Sequence, residues 1–141
     1  MSGDDKIFSN LAVLVVEDNE VNQKVTAAML QYFGITPDIA ENGQVALDLA
    51  KQKKYDLILM DCQMPVKNGF ETTIHLRSPE ENHDGEFMTP KNVIIAAMTA
   101  NASPDDIHAC MECGMDDFIA KPVELEIITD KLNKWFAKNP G

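Results

Sequence analysis

Short apolar runs alternate with stretches of helical periodicity along this whole chain, and no other feature limits its fold so strongly. Leu11 to Val16 is an uninterrupted apolar run of the kind buried on both faces of a sheet. Val21, Val25, Ala28, Met29 and Tyr32 then recur at helical spacing until Gly34 supplies a stop, with Asn19 suited to cap the helix. Ile35 to Ala40 reads as a second strand. Asn42 caps a second helix with Val45, Ala46, Leu49 and Ala50 on one face, and Tyr55 to Met60 is the third strand. A turn-rich segment from Cys62 to Gly69, with Pro65 and the Asn68-Gly69 pair, precedes a short helix from about Phe70 to Arg77. Asn92 to Ala97 predicts the fourth strand, with Met98 at its end. Pro104 opens a helix ending near Gly114, and Asp117 to Ala120 is the fifth strand. Leu125, Ile128, Leu132 and Trp135 give the last helix, about Glu124 to Ala137, one buried face.

Strands that alternate with helices of this length pair in parallel through right-handed crossovers, so the expected class is α/β with helices on both faces of one sheet. Five such units suit the flavodoxin-like, doubly wound order 2-1-3-4-5, whose winding direction reverses between strands 1 and 3. Ligands of such sheets bind at the carboxyl ends of the strands beside that reversal. One domain over residues 10–137 is expected, between tails at 1–9 and 138–141. Ser78 to Lys91 is longer than the usual connection of about 4–6 residues and reads as a polar surface insertion between the third helix and the fourth strand. Its apolar Phe87-Met88 pair would suit a partner contact.

Glu17 and Asp18 end the first apolar run and Asp61 ends the third, while Thr99 follows the fourth strand and Lys121-Pro122 the fifth. The expected order brings the acids into one crevice, where they repel one another until a divalent cation relieves the charge. Oxygen ligands with water completing an octahedron suit Mg²⁺, and Mn²⁺ as well. A metal held there can bring a phosphoryl group to a carboxylate nucleophile, leaving the Thr99 hydroxyl and the Lys121 ammonium to grip its oxygens. Lys121 is placed to pair with Asp61, Pro122 fixes the turn that aims it, and small Ala100 leaves room for a bulky anion. Acids at a strand end also occur as solvated turns or helix N-terminal charges, and Lys121 shifts the reading toward a phosphorylation site.

A net charge of -11 opposes binding to nucleic acid, and the densest basic run, Lys51, Lys53 and Lys54, fits a helix C-terminus. No apolar stretch approaches the roughly 18 residues of a membrane span, and the N-terminus is acidic where a secretory signal would be basic. A cytoplasmic location without direct membrane contact is expected, including that of the cytoplasmic part of a membrane-bound sensor. Three cysteines, an odd number, argue against a disulfide framework. Cys110 and Cys113 have the spacing of a redox pair or half a zinc site, but without a second such pair their sulfurs are expected to pack as small apolar groups. His75, His83 and His108 are expected at the surface.

V-V-E-D-N at 15–19, L-M-D-C-Q-M-P-V-K-N-G at 59–69, M-T-A at 98–100 and K-P at 121–122 resemble, in order and spacing, the receiver domain of two-component response regulators. The resemblance implies that Asp61 accepts a phosphoryl group from the phosphohistidine of a histidine kinase or a histidine-containing phosphotransfer domain. It implies that Glu17, Asp18, Asp61 and the backbone carbonyl of Gln63 hold Mg²⁺, and that Thr99 and Lys121 contact the phosphate. In the family an inward movement of the threonine is coupled to an aromatic three residues before the lysine, which is Phe118 in this chain where many relatives carry tyrosine. Gln63 and Asn101 fall where the family borders the path of the water that hydrolyses the acyl phosphate. Such a module is a phosphoacceptor rather than an enzyme, apart from self-catalysed phosphorylation and dephosphorylation, and its output is a change in protein binding.

E-D-N-E-V-N-Q-K at 17–24 looks like receivers attached to hybrid histidine kinases, which implies exchange with a phosphotransfer domain at the first helix, near Val21 and Val25. Only four residues follow Ala137, so a stand-alone regulator is the alternative to a receiver cut from a longer protein. Haloacid-dehalogenase-like phosphatases also use an aspartate nucleophile and Mg²⁺, but they resemble Asp-x-Asp after the first strand, where this chain has Glu17-Asp18-Asn19. A receiver fold with a lost site is opposed by the presence of every site residue, and flavin binding by the acidic first loop.

Overall fold

A computed structural model of the chain describes residues 10–62, 69–77, 88–90, 92–100 and 103–136. The strands β1 (Val13–Val16), β2 (Asp38–Ala40), β3 (Leu57–Asp61), β4 (Ile94–Thr99) and β5 (Asp117–Ala120) form one parallel sheet in the order β2-β1-β3-β4-β5. Each is followed by a helix: α1 (Glu20–Gln31), α2 (Gly43–Gln52), α3 (Gly69–Arg77), α4 (Pro104–Glu112) and α5 (Leu125–Phe136). The sheet is the doubly wound, flavodoxin-like one that the alternating pattern predicts.

Side chains alternate across the strands, and each face has its own core. Leu14, Val16, Ile58, Met60, Ile95 and Ala97 meet Ala46 and Leu47 of α2, Leu76 of α3 and Cys110 of α4. Val13, Val15, Leu57, Leu59, Ala96 and Met98 meet Leu30 of α1 and Ile128 and Leu132 of α5. The helices start where their caps dictate. Asn19 accepts from the Asn22 N–H at 2.9 Å, Asn42 from the Val45 N–H at 2.9 Å, and Ser103 from the Asp106 N–H at 3.2 Å just ahead of Pro104.

Several boundaries differ from the sequence expectation for definite reasons. β2 is only three residues long, because the Ile35 N–H is spent on Leu30 O, closing the end of α1 through Gly34 at φ 83°. β4 runs on to Thr99, since Asp61 still pairs with Met98 and Thr99 with Ala120, so Thr99 belongs to the strand. The apolar positions of α1 divide: Met29 packs against the core beside buried Thr26 and Leu30, whereas Val21 is 68% exposed and Val25 42%. On α5, Leu125 stays half in solvent and Ile128 and Leu132 alone are fully covered, with Trp135 partly so.

The residues on either side of positions 78–87 are tied to the end of the sheet away from the acids. Arg77 donates from Nε to Gly114 O at 2.8 Å, from Nη1 to Val93 O at 2.6 Å and from Nη2 to Asp116 at 2.8 Å. On the other flank, buried Thr89 donates its hydroxyl to Lys53 O at 2.6 Å and accepts from the Tyr55 N–H at 3.0 Å. Met88 is exposed, and Phe87 lies outside the described residues.

Candidate functional site

Parallel strands bring their carboxyl ends to one edge, and the residues that follow them meet there. Glu17 leaves β1 held from three directions: its N–H donates to Ala40 O at 2.9 Å, its carbonyl accepts from the Gln23 amide at 2.6 Å, and its Oε2 accepts from the Asn19 N–H at 3.2 Å. Glu17 and Asp61 are buried, at 1% and 3% exposure, while Asp18 is exposed. One carboxylate oxygen from each of the three lies within 4.8 Å of the others.

Lys121 reaches this cluster from the end of β5. Its N–H donates to Thr99 O at 2.8 Å, a cis bond joins it to Pro122, and its Nζ lies 3.1 Å from Glu17 Oε1 and 3.3 Å from Asp61 Oδ1. Burial by itself would lower the pKa of this ammonium, but the charge of Asp61, then the hydrogen bond and charge of Glu17, outweigh it and hold the pKa above the ordinary lysine value. The group is therefore charged at neutral pH.

The donor set fits a hard divalent cation. It consists of carboxylate oxygens, two of the three acids buried and one open to water, as suits an ion that keeps part of its hydration shell. Glu17 Oε1 is fully buried, meets the Lys121 ammonium at 3.1 Å and has no further hydrogen-bond partner among the described residues, so it retains acceptor capacity for a cation.

Thr99 is buried at the end of β4, next to the strand whose Asp61 pairs with Met98, and Ala100 beyond it is exposed. Phe118 stands two residues before the edge, opposite Ala97 and half-buried, with Lys131 Nζ 5.5 Å from its ring centroid. It lines a groove of about 430 Å³ with Ile119, Pro122 and Ile127. Gln63 and Asn101 lie outside the described residues.

The structure thus brings together Glu17, Asp18, Asp61 and Lys121, with Thr99 on the adjoining strand and Phe118 set back from them. Sequence reasoning paired Lys121 with Asp61 but missed its bond to Glu17. It also missed Gly69 as a constraint: a Cβ there would run into the carbonyl oxygen of Asp61 and lie 3.0 Å from Met60 Cγ, so α3 can begin against the end of β3 only with glycine. The Asn68-Gly69 pair was visible, though only as a turn signal. The cysteines are free, Cys110 is packed in the core as expected, and Cys62 meets it at 3.5 Å between sulfurs. Among the histidines, His108 is exposed and His75 half-buried, while His83 lies outside the described residues.

Among the described residues no helix is long and apolar enough to cross a membrane. The sequence profile described as "Response regulator receiver domain" matches residues 13–133. Hybrid signal transduction histidine kinase A of Dictyostelium discoideum is 39% identical over 127 residues, a match that takes in 89% of this chain but only 6% of that protein. The receiver domain of sensor histidine kinase PA1611 from Pseudomonas aeruginosa, solved with a magnesium ion coordinated in its active-site cleft, superposes with a TM-score of 0.76 at 37% identity, over 89% of this chain and 96% of that one. The Saccharomyces cerevisiae receiver domain of Ssk1, crystallised with the histidine phosphotransfer protein Ypd1, gives a TM-score of 0.78 at 35% identity, over 89% and 88% of the two chains. With the profile covering most of its length and the acids, threonine and lysine gathered at one sheet edge, the chain belongs to the response regulator receiver domain family of two-component systems.

Proposed function

We propose that Asp61 is the phosphoacceptor of this receiver domain and takes its phosphoryl group from a phosphohistidine. The observation that carries the reading is a buried Asp61 carboxylate with the Lys121 ammonium at 3.3 Å and two further acids close by. An Asp61 oxygen attacks phosphorus, a P–O bond forms and the P–N bond breaks, and the departing imidazole nitrogen keeps the bonding pair. Lys121 is aimed in advance by its backbone bond to Thr99 and supplies fixed positive charge where phosphoryl oxygens gather. Glu17, Asp18 and Asp61, with the backbone carbonyl of Gln63, would hold Mg²⁺, which when bound neutralises charge on the incoming phosphoryl group.

The product replaces the single charge of the Asp61 carboxylate with about -2 spread over phosphoryl oxygens, and the Thr99 hydroxyl gains by donating to them. Any inward movement of Thr99 frees space that half-buried Phe118 fills, reshaping the groove along β5 and α5. Without a phenolic hydroxyl, Phe118 transmits this by packing alone. The output is altered protein binding, and the chain acts as acceptor rather than as an enzyme with turnover.

The similarity to hybrid kinases supports its origin as the receiver of such a kinase, with a histidine-containing phosphotransfer domain as partner. The exposed Val21 and Val25 offer that partner an apolar seat, and Val25 borders a recess of about 90 Å³ shared with Glu17 and Lys121. The test is incorporation of label from acetyl phosphate or a phosphorylated phosphotransfer domain. Asp61→Asn is expected to abolish it while circular dichroism stays native, and labelling of that variant at the wild-type level refutes the assignment.

A further inference from the structure

A thiol pair begins one residue beyond Asp61. Cys62 Sγ lies 3.5 Å from Cys110 Sγ, a contact between residues 48 apart in sequence, and both side chains are buried. The Cys62 N–H is bonded to Met98 O at 3.2 Å, so this sulfur is fixed to the strand end that carries Asp61, while Cys110 belongs to α4, the helix that follows Thr99. Cys113, three residues further on, donates its thiol to Cys110 O at 3.1 Å and borders a groove of about 470 Å³ with Phe70, His108, Ala109 and Glu112. That groove reaches Cys113, whose thiol touches the Cys110 carbonyl, and stops short of the buried pair. A disulfide needs sulfurs about 2.05 Å apart, a closure of roughly 1.5 Å that a loop start and a nine-residue helix can share.

We propose that Cys62 and Cys110 form a reversible intramolecular disulfide on exposure to a peroxide-class oxidant, and that the bond locks α4 against the phosphoacceptor end of β3. One sulfur attacks a peroxide oxygen: an S–O bond forms, the O–O bond breaks and water leaves. The other sulfur then attacks the sulfenic sulfur, the S–S bond forms, the S–O bond breaks and a second water leaves. Two thiols are oxidised, hydrogen peroxide is reduced to two waters, and both thiol protons end on water. The odd number of cysteines excludes a fully paired framework but leaves room for one such pair. Because α4 cannot be held by the bond and also follow Thr99 freely, oxidation and phosphorylation are coupled, and that coupling rests on the phosphoacceptor reading above.

The test treats the full chain with hydrogen peroxide, blocks free thiols and maps peptides without reduction. The Cys62 peptide is expected linked to the Cys110 peptide, with the link reversed by dithiothreitol, lost in Cys110→Ala and kept in Cys113→Ser. A Cys110–Cys113 bond, links only between molecules, or Cys62 and Cys110 still open to alkylation overturns the proposal, and the wild-type map decides this without any variant. Labelling by acetyl phosphate is expected to slow about fivefold or more in the oxidised protein and to recover on reduction, with Cys110→Ala insensitive to peroxide. A disulfide that forms without changing the labelling rate overturns the lock. Absence of labelling in the reduced protein refutes the phosphoacceptor reading instead, and the peptide map still decides the bond.

Discussion

Lys121 serves two buried carboxylates with one ammonium, at 3.1 Å and 3.3 Å, in the place where a cation would compete with it. Lys121→Met is therefore expected to preserve the fold and to tighten divalent-cation binding by about tenfold in titration calorimetry, because the acids lose their internal counter-charge. The pair also predicts a pH dependence. The folded pKa lies above the ordinary lysine value of 10.5, so its stabilisation is complete below that pH and is lost only as pH rises through the folded value. The urea midpoint of the wild type should be insensitive to this group at neutral pH and fall at strongly alkaline pH, a fall weakened in Lys121→Met. Gly69→Ala is expected to cost about 1–3 kcal/mol by urea unfolding, since the added Cβ overpacks against Asp61 and Met60. At this scale the sequence revealed residues better than partners. Asp61, Glu17 and Lys121 could be picked out because each follows an apolar run, but the reach of Lys121 to Glu17 depends on side-chain paths across three strands that no spacing encodes. Cys62 and Cys110 could not be matched until α4 was known to cover the Met60 face.

Among the elements, α5 is tied to the sheet through a single side chain of β5, Asp117. Asp117 is 6% exposed and accepts from Lys131 at 2.9 Å, Lys134 at 3.1 Å and the Trp135 indole at 3.2 Å, as well as from the Phe118 N–H. Burial would raise its pKa, but the hydrogen bond from Lys131, then those from Phe118 and Lys134, outweigh it and hold the carboxyl below the ordinary carboxylate value. Its contribution is present above pH 3.8, the ordinary value, and is lost as pH falls through the lower folded value. Asp117→Asn is expected to cost about 1–3 kcal/mol at neutral pH and to speed amide exchange in α5, with the two proteins converging in stability at low pH in urea titrations. The existence and order of the elements were legible because the apolar period changes from strand to helix five times, but their faces were less so. Leu125 keeps helical spacing yet stands exposed, since period alone does not distinguish a position that meets the sheet from one at the rim of the stripe.

The molecule as a whole separates its two ends. Acids, threonine and lysine gather where the strands finish, whereas Arg77 and Thr89 fasten the chain where strands begin, each to backbone groups next to the sheet. Replacing residues 79–86 by a Gly/Ser linker is expected to change stability by no more than about 0.5–1 kcal/mol and to leave phosphoryl acceptance intact. Thr89→Val, which orphans the Tyr55 N–H and the Lys53 carbonyl, is expected to cost about 1–3 kcal/mol in the same denaturation assay. The polar interval from Ser78 to Lys91 stood out in the sequence, but the anchor at Thr89 did not, because a lone threonine in a polar stretch gives no sign that it will be buried. The two clamps have a practical consequence: they make residues 78–87 a cassette. A fluorophore, epitope or tether inserted between them would be bracketed by two bonds to the sheet end remote from the acids, and receivers could exchange such cassettes without retuning the acid cluster.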